Sequence, residues 1–137
     1  MNLIFHFINA RKTEEIAPGT EIFKAGEAGS VMYVLLEGAA RILVGRRVVE
    51  VAGPGAILGE MALIDDQPRS ATVVTMSRCR VVAIGSTEFD LLVREKPAFA
   101  RHVMKVVADR LRRMNAAVED IKTVTPRPSR LDETVPV

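Results

Sequence analysis

One segment near the middle of the chain holds the residue types that could recognise a charged ligand. Residues 55–73 read Gly-Ala-Ile-Leu-Gly-Glu-Met-Ala-Leu-Ile-Asp-Asp-Gln-Pro-Arg-Ser-Ala-Thr-Val. Gly59 predicts a tight turn that a ligand can approach closely, because glycine has no Cβ. Most residues from Glu60 to Ile64 are good helix formers and predict a single helical turn. The Asp-Asp-Gln-Pro sequence at 65–68 ends that turn.

This arrangement suits a phosphate group that is attached to a sugar. The start of a helix presents unpaired N–H groups and a partial positive charge, and Arg69 adds a planar set of donors that matches phosphate oxygens. The Glu60 carboxylate only accepts hydrogen bonds, so it fits a sugar hydroxyl and not the phosphate. Donors for a phosphate beside an acceptor for a hydroxyl indicate a nucleotide.

The segment resembles the phosphate-binding cassette of the cyclic nucleotide-binding domain family, and the chain looks like a stand-alone, catabolite-activator-like sensor domain of that family. The resemblance runs from about Pro18 to Met114, and it departs at Leu58, where the family usually has Phe. It rests on four stretches of sequence, which are Lys24-Ala25-Gly26-Glu27, Tyr33-Val34-Leu35-Leu36-Glu37-Gly38, Gly59-Glu60-Met61-Ala62-Leu63 and Pro68-Arg69-Ser70-Ala71.

The resemblance implies that the ligand is cAMP, or less favourably cGMP, with no other cofactor. It implies that Glu60 holds the ribose 2′-hydroxyl and that Arg69 holds the cyclic phosphate, assisted by the Ser70 hydroxyl and nearby backbone amides. The ligand-binding residues expected on this basis are Gly59, Glu60, Met61, Ala62, Arg69, Ser70 and Ala71. The family often closes a side chain over the base, and four candidates stay open here: Arg110, Leu111, Arg113 and Met114.

Short runs of Val, Ile and Leu on both sides of the segment must position it. Separated by turn residues, such runs predict the strands of an antiparallel sandwich or barrel, and Gly45-Arg46 between two of them predicts a hairpin turn. The resemblance implies a jelly-roll barrel with the 55–73 segment across its mouth. The predicted strands are Glu21–Phe23, Val31–Leu36, Arg41–Val44, Val48–Ala52, Ala71–Met76 and Cys79–Ile84.

Helical periodicity flanks the strands, which makes the fold mainly β with flanking helices. Apolar residues between Leu3 and Ile8 predict a short helix over residues 1 to about 12. Ser86 or Thr87 is a predicted cap for a second helix, and Pro97 suits the first turn of a third. We expect an N-terminal helix and connector over residues 1–15, the binding domain over 16–121, and a disordered, proline-rich tail over 122–137.

The last helix carries two patterns. Arg101, Lys105, Arg110, Arg112 and Arg113 make it basic, which predicts a solvated face. Apolar residues spaced 4, 3, 4 and 3 form a seam of about two heptads, short of a convincing coiled coil. The spacing leaves packing against the chain's own barrel and pairing with a second copy both open, and the resemblance favours a homodimer. The seam residues are Val107, Leu111, Met114, Val118 and Ile121.

Composition excludes several other functions. The 137 residues fit one domain, and a net charge of +2 gives no argument for nucleic acid. Cys79 is the single cysteine, which suits a reducing cytoplasm. No apolar stretch approaches the roughly 20 residues that cross a bilayer. His6 and His102 lie far apart in sequence, so we expect neither a metal site nor an enzyme.

Two functions stay open at this point. The first is a cyclic-nucleotide sensor that signals by repositioning its C-terminal helices. Only 16 residues follow Ile121, too few for a DNA-binding helix-turn-helix, so the output would go to an unknown partner protein, or the chain is a fragment of something larger. The alternative is a ligand-free dimerisation or protein-interaction module that kept the fold.

Overall fold

The computed structural model describes residues 1–7 and 12–124, without the side chains of 119–124. It divides into two compact units, Met1–Val103 and Met104–Val137, and the strands all lie in the first. In chain order the helices and strands are α1 (Leu3–Phe7), β1 (Glu14–Ile16), β2 (Glu21–Phe23), β3 (Val31–Glu37), β4 (Ala40–Val44), β5 (Arg47–Ala52), β6 (Ile57–Leu58), α2 (Met61–Ile64), β7 (Thr72–Thr75), β8 (Cys79–Gly85), α3 (Ser86–Glu95) and α4 (Pro97–Val124).

The described strands form two antiparallel sheets. One has the strand order β1-β8-β3-β6 and the other β2-β7-β4-β5. Their shared core includes Leu35 and Val81 from the first sheet and Ile42 and Val73 from the second. Within the described residues no ladder of hydrogen bonds joins the sheets, so the jelly roll is not the closed barrel that the resemblance implied. Apolar packing between the two inner faces holds the sheets together.

The predicted strands agree closely with the observed ones. Glu21–Phe23 matches β2 at both ends, and the other five agree with β3, β4, β5, β7 and β8 to within one residue at each end. Val44 pairs with Arg47, so Gly45-Arg46 is the predicted two-residue turn, and Gly45 has a φ of +62°. The sequence patterns therefore located most of both sheets.

Two strands were not predicted. β1 lies where the charged residues of the sequence predicted a solvated connector. In the structure Glu14 and Glu15 are exposed and Ile16 is partly buried. It pairs with β8 at the edge of its sheet, with Ile16 opposite Cys79. β6 has two residues, too few to show any alternation of polar and apolar side chains.

The helices depart from prediction at their ends. α1 buries Leu3 and Phe7, while residues 8–11 lie outside the described part of the chain. The predicted cap at Ser86 or Thr87 was wrong, because β8 runs directly into α3 and extended Gly85 occupies the N-cap position without a side-chain cap. α4 begins at Pro97 as predicted. The tail predicted to be disordered covers residues 122–137, but 122–124 belong to α4. Residues 125–137 lie outside the described residues, and the predicted domain boundaries stay a prediction.

No helix among residues 1–7 and 12–124 combines the length and the apolar character that crossing a membrane requires. α4 is the longest of these helices, with 28 residues. It carries several basic side chains along its length, among them Arg101 and Lys105.

Gly38, between β3 and β4, tests how tightly the sheets are packed. Its φ is +93°, and an added Cβ would lie 2.4 Å from the Arg78 carbonyl oxygen and 2.7 Å from Cys79 Sγ. We expect Gly38→Ala to lower the free energy of unfolding by about 2–4 kcal/mol, from strain at positive φ together with overpacking. Urea denaturation monitored by circular dichroism measures the change.

Gly45→Ala is the matched control, because Gly45 also has a positive φ but has no atom within 4 Å of an added Cβ. It keeps the backbone strain without the crowding, so its loss of stability is expected to be smaller. Equal losses for the two variants would show that crowding around Gly38 contributes nothing.

Candidate functional site

The segment that joins β6 to β7 contains the predicted single turn of helix. Gly59 follows β6 with a φ of +76°, a conformation that favours glycine. α2 spans Met61–Ile64, and Glu60 occupies its N-cap position rather than its first turn. Asp66 ends the turn with a φ of +58°, which aspartate tolerates better than most residues. The predicted helix and its termination are therefore confirmed, with a start one residue later.

The two ionisable residues predicted for ligand binding are both buried. Glu60 is 4% exposed and Arg69 is 7% exposed. Charged side chains are rarely buried to this degree, because each loses its hydration. Burial lowers the pKa of the Arg69 guanidinium below the ordinary arginine value, although Tyr33, Glu27 and Glu60 act in the opposite direction. Arginine stays charged after such a shift, so a buried positive charge lies in the segment.

Three groups surround the Arg69 guanidinium. Its Nη1 donates a hydrogen bond of 3.0 Å to the Gly59 carbonyl oxygen. Its Cζ lies 4.2 Å from the centroid of the Phe23 ring, which is cation–π geometry. An added Cβ at Gly29 would lie 2.3 Å from Nε and 2.4 Å from Cζ, so the backbone at Gly29 closes on the guanidinium.

The Nε atom of Arg69 lacks a hydrogen-bond partner. Among the side chains that the structure describes, it is the one buried nitrogen or oxygen atom that makes no hydrogen bond. Buried polar groups in native proteins are almost always hydrogen-bonded, so an exception needs an explanation. A charged donor without an acceptor is suited to an anionic ligand, which would form a charge-assisted hydrogen bond there.

The glycine-rich loop at 24–29 holds the backbone of Arg69. The Arg69 N–H donates to the Glu27 carbonyl oxygen at 2.8 Å, and the Gly26 N–H donates to the Arg69 carbonyl oxygen at 2.9 Å. The loop is itself tied down, because Lys24 N–H donates to Glu27 Oε1 at 2.7 Å and Ala25 N–H donates to Thr72 Oγ1 at 3.0 Å. Sequence reasoning gave this loop no role at the site, although Lys24–Glu27 belonged to the resemblance.

The remaining cassette residues fall at different depths. Met61 and Ala71 are partly buried, Ala62 is buried, and Ser70 is exposed beside Arg69. Leu58, the departure from the family pattern, is 1% exposed on β6, so its side chain is accommodated in the core.

The four lid candidates lie on α4 in the second unit, Met104–Val137. Leu111 is 58% exposed and Met114 is 56% exposed. A role for Arg110, Leu111, Arg113 or Met114 over a base stays a prediction.

The described part of the chain has no cluster of side chains that could bind a metal ion. Across residues 1–7 and 12–124, no three or more histidine, cysteine, aspartate or glutamate side chains lie close enough together to hold a metal ion. The arrangement at Arg69 and Glu60 instead offers a cationic donor and a buried acidic residue in the same segment. Such a pair can bind a ligand that has both an anionic group and a hydroxyl.

Two relatives of known type are similar to most of this chain. A cyclic nucleotide-gated potassium channel of Mesorhizobium japonicum is 31% identical over 108 residues, which cover 79% of this chain and 30% of the channel. A CRP-like cAMP-activated global transcriptional regulator of Mycobacterium tuberculosis is 26% identical over 124 residues, which cover 82% of this chain and 54% of the regulator.

A solved structure is similar in fold as well. The catabolite activator protein of Thermus thermophilus superposes with a TM-score of 0.72 at 25% identity, covering 87% of this chain and 62% of that one. The chain thus spans less than two thirds of the length of each of these three proteins.

A family model described as the cyclic nucleotide-binding domain matches residues 13–96, which is more than half of the chain. The matched region extends from just before β1 to the end of α3 and includes both Glu60 and Arg69. The chain belongs to the cyclic nucleotide-binding domain family.

Proposed function

We propose that this chain binds cAMP in preference to cGMP and acts as a regulatory sensor rather than as an enzyme. The observation that carries the proposal is the buried Arg69 guanidinium, whose Nε has no partner among the described residues. The regulator from Mycobacterium tuberculosis, which is named as cAMP-activated, supports the choice of nucleotide.

The cyclic phosphate would supply what Arg69 lacks. A cyclic phosphodiester carries one negative charge and two free oxygens, so an oxygen at Nε satisfies the donor and pairs the buried charge. Both effects favour binding, because a hydrogen bond to a charged group contributes more than a neutral one. The Ser70 hydroxyl, which is exposed beside Arg69, and the amides near Gly59, Met61 and Ala71 are the further donors of the proposal.

Glu60 would bind the sugar. Its carboxylate is an acceptor when ionised, so it can take the hydrogen of a ribose 2′-hydroxyl but repels a phosphate. Its burial, at 4% exposed, makes such a hydrogen bond stronger than one in water. A cyclic nucleotide presents the phosphate and the 2′-hydroxyl on one ribose. The same cassette holds a donor for the phosphate, Arg69, and an acceptor for the hydroxyl, Glu60.

Signalling would follow from repositioning of α3 and α4, with Arg110, Leu111, Arg113 or Met114 closing over the base. A ligand shifts such an equilibrium only by its differential affinity for the two arrangements. The output is an unknown partner protein, and the single cysteine suits action in the cytoplasm. No step of this function requires a catalytic group.

Self-association through α4 is the second part of the proposal. Leu111, Met114 and Val118 are each about half exposed, at 58%, 56% and 49%. Their spacing of 3 and 4 places them on one helix face, and an exposed apolar stripe at heptad spacing is suited to a second copy of the same helix. A homodimer would cover this stripe.

Calorimetric titration of the purified protein, stripped of bound nucleotide, tests the ligand. We expect saturable binding of cAMP and weaker binding of cGMP. Arg69→Gln should weaken cAMP binding by roughly thirtyfold to a few thousandfold, because it removes the charge that pairs with the phosphate. Arg78→Gln is the matched control, since Arg78 is exposed and pairs with Glu15 at the surface. It should bind as the parent protein does.

Two outcomes would contradict the sensor. An Arg69→Gln protein that binds cAMP as tightly as the parent would remove Arg69 from the site. Absence of heat with either nucleotide, together with an unchanged melting temperature, would favour the ligand-free interaction module, because any ligand specific for the native state raises that temperature.

Sedimentation analysis of Leu111→Glu tests the dimer. A charge in the middle of the stripe should convert the dimer to monomer, because burying an unpaired carboxylate is costly. Ala116→Glu adds the same charge at an exposed position two residues after Met114 and off the stripe. It should leave the dimer intact, and a parent protein that sediments as a monomer would refute pairing.

A further inference from the structure

Aromatic side chains are scarce in this chain, and two of them lie beside Arg69. The sequence has five phenylalanines, one tyrosine and no tryptophan. The Phe23 ring covers the Arg69 guanidinium at 4.2 Å, and Tyr33 stacks on Phe23 with ring centroids 6.2 Å apart and an interplanar angle of 19°. Guanidinium, phenyl ring and phenol ring are therefore in successive contact.

A stacked guanidinium keeps its hydrogen-bonding capacity. Cation–π attraction acts through the face of the ring, whereas the N–H groups point outward in the plane of the guanidinium. Stacking also restricts a side chain that otherwise has many rotamers, so less conformational entropy is lost when the ligand binds. Phe23 can thus hold Arg69 in place without using any donor that the ligand needs.

Gly29 and Gly59 complete the enclosure. An added Cβ at Gly59 would lie 2.2 Å from Arg69 Nη1, but Gly59 also has a positive φ that accounts for a glycine there. Gly29 does not have a positive φ, so its backbone conformation does not require glycine. An added Cβ at Gly29 would lie 2.3–2.9 Å from atoms of the Arg69 guanidinium, so any larger residue there would have to displace that side chain. We refer to Phe23, Gly29 and Gly59 as the Arg69 cradle.

We propose that the Arg69 cradle is a positioning device for anion recognition, in which Phe23, supported by Tyr33, holds the guanidinium and Gly29 leaves room for it. The Gly59 carbonyl occupies Nη1 and Nε has no partner, so Nε is the unused donor for the phosphate, which must displace the atoms that cover it. This proposal rests on the proposed function for its ligand, whereas the position of Arg69 itself can be measured without any ligand.

The experiment combines side-chain NMR with titration. The ¹⁵N–¹H signal of Arg69 Nε, identified by its absence in Arg69→Lys, reports how firmly the guanidinium is held in the free protein. The same samples are titrated with cAMP. Phe23→Leu removes the ring but keeps an apolar side chain, and Phe23→Tyr keeps the ring. Phe7→Leu is the matched control, because Phe7 on α1 is also covered by the fold and packs against another aromatic ring, that of His6.

We expect Phe23→Leu to broaden the Nε signal or abolish it and to weaken cAMP binding by about threefold to thirtyfold. Phe23→Tyr and Phe7→Leu should keep both the signal and the affinity of the parent. Gly29→Ala adds one methyl group and should displace the guanidinium with the same consequences. It tests the cradle separately if Phe23→Leu does not fold.

Three results would overturn the proposal. An unchanged Nε signal in Phe23→Leu and Gly29→Ala would show that the cradle does not hold Arg69. Weakened binding with an unchanged signal would show that Phe23 acts on the ligand directly. Equal losses in Phe7→Leu would indicate a general effect on the fold. If the parent protein binds neither cAMP nor cGMP, the proposed function fails, and the Nε signal still decides the position of Arg69.

Discussion

The burial of the Arg69 guanidinium is the constraint on which the site depends. A buried charge has lost its hydration, and this loss must be offset by groups placed around it. Here the Gly59 carbonyl oxygen takes one donor and the Phe23 ring covers the guanidinium, while Glu27 and Glu60 supply negative charge that favours its charged form. These groups do not replace all of the lost hydration, because Nε still has no hydrogen-bond partner. A ligand of opposite charge can supply that partner.

These groups come from parts of the chain that are distant in sequence. Phe23 ends β2 in the β2-β7-β4-β5 sheet. Tyr33 lies on β3 and Gly59 follows β6, and both of these strands belong to the β1-β8-β3-β6 sheet. The position of Arg69 therefore depends on how the two sheets pack together, in addition to the local turn at α2. A substitution in the core between the sheets would shift the guanidinium even where the substituted residue does not contact it, because close-packed interiors transmit small displacements.

Features that depend on neighbouring residues could be predicted from the sequence, whereas features that depend on tertiary packing could not. The strands, the Gly45-Arg46 turn and the single turn of α2 are set by nearby residues, and they were predicted well. Two tertiary features were not: β1 has exposed acidic residues that suggest a loop, and the strand pattern allowed either a sandwich or a barrel without distinguishing them. The resemblance identified Arg69 and Glu60, but the need for Gly29 arises only when Arg69 is folded against it.

The hydrogen bond between Arg69 and Gly59 joins the guanidinium to the start of the α2 turn. The Gly59 carbonyl oxygen accepts from Arg69 Nη1 at 3.0 Å and also from the Ala62 N–H at 3.4 Å, within the turn of α2. One acceptor is thus shared between the guanidinium and the helix. The position of the guanidinium and the geometry of the α2 turn therefore depend on each other. A ligand that binds as proposed would act on the turn through this shared acceptor, and it would shift the turn only by binding two of its arrangements with different affinities.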